Sequence, residues 1–280
     1  MTHLIHNTDD YCRDLVSRDD PARYLATLFA PRTIRGGVWA LLAFNQEIAK
    51  TREVVTNTTI GLMRLQWWRD SIEKMLVSGV PIAGNPVAVA LFGAIQAHHL
   101  HRDAFETLIY AREFDLEDVL PANIQGLEHY ADYTTTPLLE LIATVHGVEI
   151  DRERLRYLAI AYALVGLVRS VPYHARQGRC YLPQDGMERA GVALDQIYAL
   201  RPVPDLALVV RDVLSLAAAH LDRATGLGGV RMFAAMRAQT ALYLAQLNSV
   251  NGDVFNPALA RSPAFMELRV AWSVYSGRGG

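Results

Sequence analysis

Apolar residues recur three and four positions apart along almost the whole sequence, and alternation with a period of two is scarce. That spacing places apolar side chains on one face of an α-helix, so it predicts helices rather than strands. The pattern is clear over residues 60–77, where one stripe is expected to face the core. This stripe comprises Leu65, Trp68, Ile72 and Met75. Proline and glycine residues separate the helical segments, and we therefore predict an all-α fold.

Local signals set the expected ends of the helices. Asp19 and Asp20 before Pro21 indicate a helix start, because a proline in the first turn lacks only an N–H that the helix does not use. Thr33 is expected to cap a helix over residues 34–55. Further helices are predicted over residues 87–102, 102–114, 123–146, 152–171, 205–226, 229–247 and 262–276. No linker or repeat divides the sequence, so we predict one domain over residues 1–280.

Composition limits the classes of function. Of the 280 residues, 51% are hydrophobic and 20% are charged, and the formal net charge is -2. Because no strong positive field is present, no nucleic acid is expected as a partner. Cys12 and Cys180 lie far apart in sequence and form no metal-type pair, which indicates a reducing compartment.

The expected location follows from targeting signals and hydrophobic runs. The first ten residues resemble neither a secretory signal nor a transit peptide. No stretch approaches the roughly 20 apolar residues of a membrane-spanning helix. We therefore expect a cytoplasmic protein. Its apolar composition leaves open a peripheral contact with the inner face of the membrane.

Three stretches, in order, resemble the squalene/phytoene synthase superfamily: residues 23–44, residues 61–69 and residues 169–185. The likeness extends from about residue 11 to the C-terminus. It implies an isoprenoid-synthase-type helical bundle around a central cavity. In enzymes of this family, two Asp-rich motifs hold Mg²⁺ and the diphosphate of a prenyl substrate. Phe44 and Trp67 are candidates to line that cavity, and core packing is the alternative for Trp67.

The resemblance matches the first Asp-rich motif to Ala49, Lys50 and Glu53, so a single carboxylate remains there and Lys50 adds a positive charge. Magnesium prefers carboxylate oxygens, and this segment supplies few of them. The resemblance therefore implies a degenerate first motif without metal.

The resemblance matches the second Asp-rich motif to Gly166, Ser170 and His174, where the enzymes carry Asn, Asp and Asp. Pro172 is expected to end or kink the helix, because proline removes a backbone hydrogen bond and clashes with the preceding turn. With both motifs degenerate, we expect no catalytic residue, no bound metal and no cofactor.

Within the superfamily, the sequence resembles the branch of complex I assembly factor six and its bacterial relatives. The resemblance lies in residues 43–45 with Glu47, residues 59–64 and residues 172–174. It implies a non-catalytic role in assembling NADH:quinone oxidoreductase, with a complex I subunit or an assembly intermediate as partner. Two alternatives stay open. One is an active prenyltransferase that uses Glu53, Asp185 and a single Mg²⁺, and the other is a carrier of an isoprenoid or another lipid.

One basic and aromatic cluster is a candidate anion or ligand site. A guanidinium group binds phosphate or carboxylate through two parallel hydrogen bonds, so the cluster suits a lipid headgroup, a diphosphate or an acidic segment of a partner. The alternative is that its arginines pair with nearby carboxylates and fix the loop after Pro172. The cluster comprises Arg169, Tyr173, His174, Arg176, Arg179 and Tyr181.

Two further groups of potential metal ligands are interpreted as structural. His98, His99 and His101 are expected at a solvent-exposed helix end, because they lack the carboxylate or cysteine ligands that usually complete a metal site. The acidic run over residues 113–118 is expected to form a solvent-exposed turn before Pro121.

Overall fold

A computed structural model describes residues 2–227 and 229–277 of the chain. Within these residues the chain forms α-helices and two short 3-10 helices, and it contains no strand, so the all-α prediction is confirmed. The 3-10 helices are Arg32–Ile34 and Pro257–Ala260. The α-helices are α1 Thr2–Asp19, α2 Pro21–Thr27, α3 Arg35–Ala49, α4 Thr51–Val54, α5 Thr58–Ser78, α6 Pro86–His98, α7 Arg102–Phe114, α8 Ile124–His146, α9 Arg152–Arg169, α10 Val171–Arg176, α11 Gln184–Arg189, α12 Leu194–Tyr198, α13 Leu206–Arg223, α14 Arg231–Ser249 and α15 Met266–Tyr275.

The contacts divide the chain into two compact units that are interleaved along the sequence. The first unit comprises Met1–Glu117, Tyr133–Ile150 and Val230–Met232. The second unit comprises Asp118–Asp132, Asp151–Gly229 and Phe233–Gly280. The single domain expected over residues 1–280 stays a prediction, and residues 1, 228 and 278–280 lie outside the described part of the chain.

In the first unit, α1, α3 and α6 pack against one another, and α5 packs on α7. Phe44 of α3 is fully buried, and its ring lies edge-on to Trp68 at 5.1 Å and to Phe105 at 5.5 Å between centroids. The stripe predicted on α5 is confirmed, because each of its four residues is at most 2% exposed. Edge-on contacts among these three aromatic rings therefore form part of this unit's core.

In the second unit, α9 packs along α13. Leu158 and Val165 of α9 are buried, as are Val210 and Val213 of α13. A polar contact accompanies this apolar core, because His220 Nε2 lies 2.9 Å from Glu128 Oε1 in α8.

Side-chain caps and proline fix several helix starts. Asp20 caps α2 by accepting a hydrogen bond from the backbone N–H of Arg23, as predicted from the Pro21 signal. Asn57 caps α5 by accepting hydrogen bonds from the N–H groups of Thr59 and Ile60. These short polar residues satisfy donors that the first turn of a helix leaves without partners.

The prediction of one continuous helix over residues 34–55 is wrong. Helix α3 ends at Ala49 and α4 begins at Thr51, because the backbone of Lys50 has ψ −4° instead of the roughly −42° of an α-helix. Thr33 lies inside the first 3-10 helix and does not cap α3, whose first residue is preceded by Ile34 without a side-chain cap.

The break expected near Pro172 is confirmed. Helix α9 ends at Arg169, and α10 begins at Val171 with Pro172 in its first turn. The proline is tolerated there because the first N–H groups of a helix have no intrahelical acceptor.

Candidate functional site

The segment that resembles the first motif lies where α3 gives way to α4. Ala49 ends α3, Lys50 separates the helices, and Glu53 lies in α4. Lys50 Nζ lies 2.5 Å from Asp19 Oδ2 of α1. Hydrogen bonds from Arg18 and Lys50 lower the pKa of Asp19 to about 2. The ammonium group of Lys50 is therefore held in an ion pair inside the first unit.

A second ion pair lies one helical turn earlier on α3. Arg64 of α5 donates a hydrogen bond to the carboxylate of Glu47. The neighbouring Asn45 and Gln46 are buried. The carboxylate of Glu47, two residues before the motif in sequence, is thus already paired with a cation.

The segment that resembles the second motif spans the helix break. Gly166 lies in α9, Ser170 lies between the helices, and His174 lies in α10. The backbone N–H of His174 donates to the carbonyl of Ser170 at 2.9 Å. Burial, with the positive charge of Arg179 in addition, lowers the pKa of His174 to about 4. The imidazole is therefore neutral at pH 7.

The residues present at these two segments do not fit Mg²⁺. This ion requires near-octahedral coordination by oxygen ligands, usually from carboxylates and phosphates. Ala49 and Gly166 supply no side-chain oxygen, and Lys50 repels a cation. Among residues 2–227 and 229–277, no group of three or more His, Cys, Asp or Glu could hold a metal ion. Whether these segments correspond to the enzyme motifs stays a prediction.

The basic and aromatic cluster is partly assembled in the second unit. The ring of His174 lies edge-on to Tyr181 at 4.8 Å and to Tyr173 at 5.5 Å between centroids. Tyr181 in turn stacks on Tyr130 of α8 at 5.3 Å. Aromatic packing thus fixes the imidazole and explains its burial.

The three arginines of the cluster lie in different environments. Arg169 lies over the ring of Tyr243, with 3.4 Å from its guanidinium carbon to the ring centroid. Arg176 is exposed and Arg179 is half-buried. In the described chain none of the three forms an ion pair with a carboxylate, so the alternative of nearby carboxylate partners is not observed. The anion site itself stays a prediction.

Sequence reasoning missed two aromatic residues of this cluster, Tyr130 and Tyr243. Each is distant in sequence from residues 169–181. Nothing in the sequence around either residue distinguishes it from the other aromatic residues of the chain. Only the packing of α8 and α14 within the second unit brings them to the cluster.

The candidates for a cavity lining lie in the first unit. Phe44 is fully buried in the core described above, whereas Trp67 is 41% exposed and lies edge-on to Trp68 at 4.9 Å. A cavity-lining role for either side chain stays a prediction.

The acidic run before Pro121 differs from the expected exposed turn. Glu113 Oε1 accepts a hydrogen bond from Arg69 Nη1 at 2.6 Å. Asp115 is buried, with Arg112 Nη1 at 3.3 Å from its Oδ2. The interpretation is therefore wrong at Asp115, because an arginine one turn away on α7 stabilises its carboxylate inside the first unit.

None of the helices in the described ranges combines the length and the apolar character needed to span a bilayer.

The squalene/phytoene synthase family model matches residues 16–273, and the chain therefore belongs to that family. It is similar to "NADH dehydrogenase (ubiquinone) complex I, assembly factor 6" of Bos taurus, at 32% identity over 268 residues, which are 93% of this chain and 80% of that protein. The Homo sapiens protein of the same name is 30% identical over the same shares.

Enzymes of the family are also similar to this chain. Presqualene diphosphate synthase of Zymomonas mobilis is 30% identical over 161 residues, or 56% of this chain and 53% of that protein. A dehydrosqualene synthase structure superposes with a TM-score of 0.80 at 17% identity, covering 98% of this chain and 97% of that one. Squalene synthase HpnC from Alicyclobacillus acidocaldarius gives a TM-score of 0.75 at 20% identity, covering 88% and 95%. The predicted isoprenoid-synthase-type helical fold is confirmed.

Replacing His174 with phenylalanine should flatten the dependence of stability on pH. The unfolded imidazole titrates near pH 6.5, while burial lowers the folded pKa to about 4. The fold therefore favours the neutral ring, and this contribution is complete above pH 6.5 and lost as the pH falls towards 4. Between pH 6.5 and pH 4, the free energy of unfolding of the parent protein, measured in urea, should fall by about 3 kcal/mol.

The exposed His101 supplies the control. His101→Gln should leave the dependence of stability on pH as it is in the parent protein. NMR titration of His174 should give the low pKa directly. If His174→Phe does not change the dependence of stability on pH, the attribution of that dependence to His174 would be contradicted.

Proposed function

We propose that this protein is a non-catalytic assembly factor for NADH:quinone oxidoreductase, built on the fold of the squalene/phytoene synthases. Two relatives that match over nearly the whole chain carry an assembly-factor name. The proposal that the protein is not a catalyst depends on one observation, the helix break at Ser170. This break interrupts the helix that is expected to present metal ligands. The proposed partner is a complex I subunit or an assembly intermediate.

The chemistry of a prenyl transfer explains why this observation matters. A departing diphosphate must be neutralised by metal ions that oxygen ligands hold in place. In this chain, Lys50 is bound to Asp19 at one segment, and a neutral imidazole lies beside the break at the other. Neither arrangement supports Mg²⁺, and the retained fold then serves recognition instead of reaction.

Deletion of the gene in the organism that encodes it should lower the amount of assembled complex I several-fold, because assembly would lack one of its factors. Native gels stained for NADH dehydrogenase activity would measure the loss. The parent gene should restore the complex. A gene with Glu53→Gln and Asp185→Asn should restore it equally, since the proposal gives these carboxylates no catalytic task.

As a control, the purified protein with farnesyl diphosphate and Mg²⁺ should release no more pyrophosphate than a blank without protein. Magnesium-dependent release that Glu53→Gln abolishes would favour the prenyltransferase instead. Unchanged complex I in the deletion strain would contradict the assembly role.

A further inference from the structure

A cavity of about 260 Å³ lies within the second unit, between the start of α8 and the helices α11 and α13. Ile124, Pro183 and Val209 supply the apolar part of its lining. Gly186 also lines it, and a Cβ atom there would lie 3.3 Å from Val209 Cγ1, so the missing side chain leaves room for a ligand. Cavities for drug-sized ligands measure roughly 300–1,000 Å³, and this one therefore suits a smaller molecule.

The polar part of the lining carries an excess of negative charge. Asp185 and Asp212 supply two carboxylates and Arg189 supplies one guanidinium group, which gives a net charge of −1. Within the described ranges, Asp212 takes part in no ion pair and no side-chain hydrogen bond. Ser215 Oγ donates its hydrogen to the carbonyl of Arg211 at 2.8 Å, so it can only accept from a ligand. The lining therefore favours a ligand that donates hydrogen bonds and is positively charged.

Arg189 shows which kind of group Asp185 binds. Its Nη1 donates to Asp185 Oδ2 at 2.7 Å, and its Nη2 lies 3.7 Å from the position that a Cβ atom would take at Gly186. The Arg189 side chain is 66% exposed, and water screens its ion pair, so another cation can displace it. Asp185 Oδ1 is shielded from water and accepts no hydrogen bond from the described residues. A cation that reaches both oxygens would satisfy this acceptor, which Arg189 leaves unpaired.

We propose that this cavity binds a small organic cation, a protonated amine or a guanidinium group on a short aliphatic chain. The chain packs against Ile124 and Val209, and the cationic group takes the place of Arg189 on Asp185, with Asp212 as a second carboxylate. A metal ion fits less well, because part of the lining is apolar and the described residues contain no group of three or more His, Cys, Asp or Glu that could hold one. The inference goes beyond the proposed function and does not depend on complex I.

NMR titration of the purified full-length protein with butylguanidine tests the inference. The amide signals of residues 184–189 and 209–215 should shift, with a Kd on the order of 1 mM for so small a ligand. Butylurea has nearly the same shape and no charge, so it should bind at least about tenfold more weakly.

Substitutions in the lining should change this Kd in opposite directions. Asp212→Asn removes one of the two negative charges and should weaken binding about fivefold. Arg189→Met removes the competing cation and should tighten binding about threefold. Gly186→Val places side-chain atoms in the cavity and should abolish binding, with circular dichroism to show that the helices persist. The matched control is Asp222→Asn, an exposed aspartate on the same helix as Asp212 but outside the lining, which should leave the Kd unchanged.

A capped arginine, N-acetyl-arginine methylamide, distinguishes two sources of the same cation. Binding as tight as that of butylguanidine would support a basic side chain of a protein as the occupant, and weaker binding would support a free small molecule. The absence of shifts with butylguanidine would overturn the inference. Equal binding of butylurea would also overturn it, as would an Asp212→Asn variant that binds as tightly as the parent protein.

Discussion

Replacing Phe44 with alanine should lower the free energy of unfolding by about 3–5 kcal/mol, as is typical when a buried aromatic ring is truncated. The ring is fully buried and makes edge-on contacts with Trp68 and Phe105. These neighbours belong to α5 and α7, which are long helices that cannot easily move inward to fill the space. The substitution therefore leaves a cavity and removes two aromatic contacts. Urea titration followed by far-ultraviolet circular dichroism would measure the change.

Phe265→Ala is the matched control, because the same atoms are removed from a ring that is 75% exposed. Its effect on stability should stay within about 0.5 kcal/mol. Equal losses for the two variants would show that Phe44 does not lie in the core that the structure gives it.

Replacing Arg112 with methionine should destabilise the protein by about 3 kcal/mol, because it removes a positive partner from a buried carboxylate. Asp115 and Arg112 expose only 5% and 11% of their side chains, with 3.3 Å between Oδ2 and Nη1. Methionine preserves much of the apolar stem, so the loss reports chiefly on charge. Chemical denaturation at pH 7 would measure it.

The exposed pair of Arg189 and Asp185 supplies the control. Its nitrogen–oxygen distance is 2.7 Å, but its side chains are 66% and 41% exposed. Arg189→Met should therefore change stability by less than about 1 kcal/mol, since water screens the pair. Adding Asp115→Leu to Arg112→Met should recover part of the loss. No recovery would contradict the buried-charge explanation.

Local physics made much of the fold predictable. The stripe on α5 repeats at helical spacing and its four side chains are all buried. Pro21 indicated a helix start and Pro172 indicated a helix break, because the missing N–H and the fixed φ of proline act within one turn. Such signals involve neighbours in sequence, and no knowledge of packing is needed to recognise them.

Features that depend on distant residues were not predictable in this way. The break at Lys50 follows no proline or glycine, and Asp19 with its ion pair to Lys50 is more than thirty residues away. Two short α-helices after Pro183, α11 and α12, contain too few residues to show a period. At the candidate site, Tyr130 and Tyr243 join the cluster only through tertiary packing.

The interleaving of the two units limits how the chain can be divided. The backbone passes between units after residues 117, 132, 150, 229 and 232, so no single cut releases either one intact. A nascent chain cannot complete its first unit until residues 230–232 have left the ribosome. Proteolytic nicking in a loop should thus yield fragments that stay associated, and co-translational folding should finish only late in synthesis.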